Sequence, residues 1–225
     1  MASLGRGGDD VEPQPRFAAG GPDADEFGAA AGYPTGDRAT FFATASLVGS
    51  HSHLDEILPG RLIHKAPAPS RLVRVAEPRI TWTFQGVEWT LDDYLARNPT
   101  TGLLVARGDT IFVERYQYGR TDRHRFTSWS MAKTVMDATT VRADQPHLRP
   151  GTATPIFGYG YQTWILPTKR RMFMLWRIRG QRIFVDPDNK LVMVNTAVHK
   201  LPADLAPLEE MGALWFGVVR QLGPR

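Results

Sequence analysis

The 225-residue chain contains no cysteine, which removes disulfides, thiol nucleophiles and thiolate metal sites. It has no apolar run of about 18 residues, so no membrane-spanning helix is expected. The opening Met1-Ala2-Ser3-Leu4-Gly5-Arg6-Gly7-Gly8-Asp9-Asp10 lacks the apolar core of a secretion signal, and the expectation is a cytoplasmic protein. A large charge excess is also missing: 27 Lys and Arg stand against 23 Asp and Glu, a formal net charge of +4. The excess gathers in Lys169-Arg170-Arg171 and in Arg177, Arg179 and Arg182. These residues are interleaved with apolar ones, which reads as solvated strand faces rather than a nucleic-acid surface. No internal repeat is present.

What remains is the composition of an ordinary globular protein, 42% hydrophobic and 22% charged, long enough for one domain with a sizeable core. Residues 1 to about 75 read as an irregular N-terminal arm. Gly, Ala, Pro and Asp dominate from Ala2 to Gly36 without any period. Phe41, Phe42, Leu54, Ile57 and Leu58 are the candidates to pin this arm to a body.

Regular patterning begins near Arg79. Ile80–Phe84 alternates like a strand. Thr90 followed by Asp92 and Asp93 reads as a helix cap with acidic residues in the first turn, and the helix should stop before Asn98-Pro99. Leu103–Ala106 and Thr110–Val113 read as strands joined through Gly108-Asp109, a hairpin that needs glycine first. A helix is expected from Ser130 to about Val141. Beyond a proline-rich loop, strands are expected at Tyr159–Leu166, Met172–Ile178, Gln181–Val185 and Leu191–Thr196. The last helix runs from about Ala206 to Leu222, with Leu208, Met211, Trp215, Val218 and Leu222 along one face. The fold class is α+β: an antiparallel sheet of about five strands, with the first and last helices on one face and the Ser130 helix on the other.

The chemistry-bearing element is Ser130-Met131-Ala132-Lys133. Residues three apart are neighbours on one helix face, so the Lys133 amine can take the Ser130 hydroxyl proton if its own pKa is depressed. The bland alternative is a serine cap followed by an exposed lysine. Other residues offer less. His51 and His53 have no third ligand at a recognisable spacing and read as exposed arm histidines. Glu114 is a candidate buried partner for the Arg115 or Arg125 region but reads better as a surface charge at a strand end. Trp129 reads as packing beside the serine. No cofactor or metal is expected.

Several stretches, in order, resemble the β-lactamase-related serine hydrolases, in particular the branch of 6-aminohexanoate-dimer hydrolases and related esterases. They are Thr101–Val105 with Glu114-Arg115-Tyr116, then Ser128-Trp129-Ser130-Met131-Ala132-Lys133, then Tyr159-Gly160-Tyr161-Gln162, and then Gly180–Pro187. The resemblance implies that Ser130 is the acylated nucleophile and Lys133 its general base. It implies that the backbone N–H groups of Ser130 and Ile178 form the oxyanion hole. The implied reaction is acyl transfer to water from a small-molecule amide or ester, with no nucleic acid or membrane partner and the oligomeric state left open.

Two departures from the family pattern stand out. The family carries an acid–base tyrosine in a large helical subdomain downstream of the lysine. Here Tyr159 is the first tyrosine after Lys133 and matches a different element, so a subdomain is missing between about residues 142 and 157. The position before Ile178, usually glycine, is Arg177, and the usual polar triplet is Leu175-Trp176-Arg177. Two readings follow: a domain over 76–225 that hydrolyses esters or amides with impaired turnover, and a catalytically inactive truncated remnant that acts, if at all, as a binding protein.

Overall fold

A computed structural model describes residues 11–60, 64, 66–129, 149–152, 154–160, 163–203 and 206–223. The elements follow in chain order. Strand β1 (Arg16–Phe17) precedes two short helices, α1 (Leu47–Ser52) and α2 (Leu54–Ile57). Next come β2 (Val73–Arg74), β3 (Thr81–Phe84), β4 (Val87–Thr90), α3 (Leu91–Arg97), β5 (Thr100–Arg107) and β6 (Thr110–Tyr116). The C-terminal part holds β7 (Gly158–Gly160), β8 (Thr163–Ile165), β9 (Phe173–Trp176), β10 (Arg182–Asp186), β11 (Leu191–Ala197) and α4 (Ala206–Leu222).

The protein is mixed α and β, but the main sheet has nine strands rather than five, in the order β1-β6-β5-β11-β10-β9-β8-β7 with β2 also on β6. Against the seven strand stretches read along the sequence, three differences give the nine. The arm contributes two-residue strands, and β1 and β2 pair parallel with β6 at its outer edge. The stretch expected as one strand over Tyr159–Leu166 is a hairpin, with Gly158 opposite Ile165 and Gly160 opposite Thr163. The Ile80–Phe84 strand does not join the sheet. It folds back on β4 through Gln85 and Gly86, both at positive φ, to make a separate two-stranded ribbon.

Local chemistry explains the elements read correctly. Thr90 caps α3 by accepting from the Asp93 N–H, while the Asp93 carboxylate accepts from the Thr90 N–H at 2.8 Å. This reciprocal box satisfies two donors that a helix start otherwise leaves orphaned. β11 alternates strictly: Leu191, Met193, Asn195 and Ala197 are buried, and the residues between them are half-buried.

The main core lies on one face of the sheet. Leu91, Tyr94 and Leu95 of α3 and Met211, Leu214, Trp215 and Val218 of α4 pack against Leu103, Val105, Phe184, Met174 and Met193. Trp215 stacks on Phe184 at 5.5 Å between centroids. The β3 strand reaches α4 because Gly217 has no side chain. A Cβ there would sit 2.9 Å from both the Thr81 carbonyl oxygen and the Trp82 Cβ.

A second, smaller core joins the arm to the body through Phe27, Leu47, Val48, Tyr118 and Val198. The Tyr118 hydroxyl donates to the Pro22 carbonyl at 2.8 Å, and Lys200 pairs with both Asp23 and Glu26.

Several polar residues are not where their sequence context placed them. Glu114 is buried rather than a surface charge; it pairs with Arg74 at 2.7 Å and accepts from the Tyr116 hydroxyl. Arg179 and Arg182 are buried rather than solvated. The Arg182 guanidinium lies over the Trp176 ring, and the indole face supplies a partner for a buried cation.

Trp215 is the largest side chain joining α4 to the sheet. A Trp215→Ala variant is expected to lose about 3–5 kcal/mol. The check is a lowered urea midpoint with an unchanged denaturant slope.

Candidate active site

Ser130 and Lys133 lie outside the described residues, as does Tyr161. The chain leading into them is described up to Trp129, and so is the turn carrying Ile178. The structure shows how these two approaches are held together.

β9 ends at Trp176, so Ile178 stands not on the expected strand but at the start of the turn Ile178–Gly180 that leads into β10. Its side chain is exposed, and among the described residues none accepts a hydrogen bond from its N–H. The turn itself is firmly fixed. Arg179 sits at φ 57° and Gly180 at φ 85°. The Arg179 N–H donates to the Pro202 carbonyl, and its Nη1 donates to the carbonyls of His199 and Lys200, each at 2.9 Å. Asn195 Nδ2 donates to the Gly180 carbonyl at 3.0 Å. A Cβ on Gly180 would come within 2.7 Å of both Ala197 Cβ and His199 Nε2, so only glycine fits this close approach. Burial holds the Arg179 guanidinium below its usual pKa.

The other approach is equally constrained. The Thr127 N–H and hydroxyl both donate to the His51 carbonyl, at 3.0 and 2.7 Å. Trp129, at φ 50°, packs its ring on two neighbours. It stacks on Phe42 at 5.4 Å and meets His51 edge-on at 5.6 Å. The opposite approach closes the circuit, because the Arg179 guanidinium carbon lies 4.8 Å from the Phe42 ring centre. Phe42 therefore bridges the residue before Ser130 and the residue after Ile178. The expected packing role of Trp129 is what the structure shows.

Beside this junction lies an open cleft of about 560 Å³. One wall is the segment His51–Gly60 at the end of α1 and over α2, and the other is Arg125–Trp129. Leu54, Leu58 and Pro59 make it partly apolar, and an Asp55–Arg125 ion pair stands at the rim. The arm thus supplies a wall to the cleft beside Trp129.

His51 corrects the reading of the arm histidines as exposed: it is 7% exposed. Its Nδ1 lies 2.8 Å from the Leu47 carbonyl oxygen one helical turn back. A carbonyl only accepts, so Nδ1 carries the proton and Nε2 is left as an acceptor. That Nε2 is buried and has no partner among the described residues. Burial pushes the His51 pKa down to about 4; the Leu47 bond opposes the shift and the nearby Arg179 charge adds to it. His53 is half-buried, with Nδ1 bonded to the Gly49 carbonyl at 2.9 Å and its ring edge-on to His124. Among the described residues no group of three His, Asp or Glu side chains is placed to hold a metal, and no helix is long and apolar enough to cross a membrane.

The other residues singled out from the sequence stand apart from the cleft lining. Tyr159 lies in β7 opposite Trp164, with ring centroids 4.6 Å apart. The Arg177 side chain folds back on its own strand, with Nη1 donating to the Trp176 carbonyl at 2.6 Å. Nothing in the residues around His51 signals its burial, because burial of a six-residue helix is decided by what packs on it. Neither any protein-family model nor any curated protein matches this chain.

Two outcomes follow. Below about pH 6.5 the unfolded chain protonates His51, whereas the folded chain does so only below about pH 4. Stability from this group is complete above pH 6.5 and is lost as pH falls toward 4, by roughly 3 kcal/mol in total. In urea titrations at stepped pH, a His51→Gln variant is expected to show a shallower loss of stability than the parent across that window. Separately, Gly180→Ala is expected to cost roughly 2–4 kcal/mol, from the left-handed backbone and the overpacking together, seen as a lowered thermal midpoint.

Proposed function

We propose that the protein is a serine hydrolase of the β-lactamase-related type, transferring the acyl group of a small ester or amide to water through an acyl-Ser130 intermediate. The observation that carries this reading is the Trp129–Phe42–Arg179 stack. It ties the chain entering Ser130 to the turn bearing the Ile178 N–H, at the edge of a substrate-sized cleft. The resemblance of the separated sequence stretches supports the same assignment.

In this reading Lys133 accepts the Ser130 hydroxyl proton as Oγ attacks the substrate carbonyl carbon. The N–H groups of Ser130 and Ile178 stabilise the oxyanion that develops. Each preformed donor of this kind contributes about 2.7–4 kcal/mol to the transition state. The rigid attachment of the Ile178–Gly180 turn favours the role, because a donor that does not reorganise during reaction is the effective one. The partly apolar cleft suits an uncharged acyl or leaving group.

The competing reading, an inactive remnant that binds rather than turns over ligand, draws on Arg177. Its guanidinium occupies the strand end where the family carries glycine.

A fluorophosphonate probe distinguishes the two. The wild-type chain is expected to label once, Ser130→Ala to abolish labelling, and Lys133→Ala to slow it by on the order of 10²–10⁴-fold. Labelling that is absent from the wild type, or that persists in Ser130→Ala, defeats the hydrolase reading.

A further inference from the structure

We propose that His124 is an acid-sensitive latch: protonation of its ring parts the two walls of the cleft at the corner where they meet. His124 directly precedes the Arg125–Trp129 wall. Its ring meets His53, between α1 and α2 of the other wall, edge-on with centroids 6.2 Å apart. The latch works whatever the cleft binds.

The hydrogen bonds of the corner require a neutral ring. His124 Nδ1 accepts from the Thr121 backbone N–H at 3.0 Å and lies equally close to the Thr121 hydroxyl. A backbone N–H only donates, so Nδ1 holds a lone pair and the ring proton is on Nε2. A second proton would sit on Nδ1 and point at the Thr121 N–H. The hydroxyl can turn its hydrogen aside, but the N–H cannot. The turn is otherwise closed by the His124 N–H, which donates to the Thr121 carbonyl at 3.2 Å, so protonation removes one of its two ties.

Charge acts in the same direction. Arg120 is 7% exposed, donates through Nε to the Tyr118 carbonyl at 3.1 Å, and pairs with no carboxylate among the described residues. Tyr33 offers it only a ring face, at 5.9 Å. The acids of the neighbouring loop and of α2 are committed elsewhere, Asp122 to Arg123 at 3.8 Å and Asp55 to Arg125. From α1, His53 gives its Nδ1 proton to the Gly49 carbonyl, and the buried His51 is neutral. A proton on His124 therefore adds positive charge beside a guanidinium that no anion offsets. Burial, Arg120 and His53, in that order, hold the His124 pKa below its ordinary value of 6.5. The closed corner is thus fully favoured above about pH 6.5 and loses ground as pH falls toward the lowered pKa.

The test is hydrogen exchange by mass spectrometry on the full chain, corrected for the intrinsic pH dependence of exchange, at about pH 7.5 and about pH 5.5. Wild-type peptides covering 47–58 and 119–127 are expected to exchange faster at the lower pH. His124 alone contributes up to about tenfold there, one unit below its ordinary value. His124→Asn places an uncharged acceptor where Nδ1 stands and keeps the Thr121 bond at both pH values. Its acid acceleration is expected to be at least about threefold smaller than that of the wild type, the remainder belonging to His51. His124→Ala lacks the acceptor, and its 119–127 peptides should exchange fast at both pH values. Equal acid acceleration in wild type and His124→Asn overturns the proposal, as does the absence of acceleration in the wild type. Acceleration of the β5 and β11 peptides as large as that at the corner also overturns it, because the whole domain rather than a latch would then be opening.

Discussion

The Asn195 side chain is the contact on which the site's geometry depends. It is fully buried in β11. Its carbonyl oxygen accepts from Thr100 at the start of β5 and from the Tyr94 hydroxyl of α3. Its amide donates to the Gly180 carbonyl in the turn before β10. One residue thus joins helix, central strands and turn inside the core, where an unmade polar contact costs about 1–3 kcal/mol. Burial raises the Tyr94 pKa well above its usual value, so the hydroxyl remains a donor at any ordinary pH. The turn that carries the Ile178 N–H is therefore tied to the protein interior through Asn195 as well as to the 199–202 loop through Arg179.

From that fixed turn the order passes outward. The Arg179 N–H donates to the Pro202 carbonyl and its Nη1 to the carbonyls of His199 and Lys200, while the guanidinium lies over the Phe42 ring. Phe42 belongs to the arm, and it carries the contact to Trp129. The position of Trp129 is thus defined partly by residues that no regular element contains. Aromatic stacks of this kind contribute about 0.5–1.5 kcal/mol beyond area burial, enough to orient two segments though not to fold them.

How much of this the sequence discloses depends on the range of the interaction. The α3 cap and the Gly108 hairpin are local devices, and Thr90, Asp93 and Gly108 spell them out. The alternation of β10 and β11 follows from one buried face and is equally plain. β1 and β2 are two residues each, too short for any period, and they exist only because β6 offers an open edge. The β7–β8 hairpin hides in a stretch whose aromatics suit one strand or two. Glu114, Arg182 and His51 look like surface residues, since nothing nearby in sequence reveals the Arg74, Trp176 or Leu47 contacts that let them be buried. Ser130 and Lys133 stand out as candidates by spacing alone, and that spacing says nothing of the arm that borders the cleft beside Trp129.

That dependence on the arm sets the cleft apart from the sheet energetically. Among the described residues the main core buries nineteen hydrophobic side chains, whereas the arm's core buries five. The remaining arm contacts include exposed ion pairs such as Lys200 with Glu26, and such pairs contribute at most about 1 kcal/mol each. Local opening follows the weakest cooperative unit. The cleft wall built from His51–Gly60 is therefore less secured by burial than the Ile178–Gly180 turn. For the hydrolase we propose, such a difference would suit catalysis: fixed donors where charge develops, and latitude where the substrate enters.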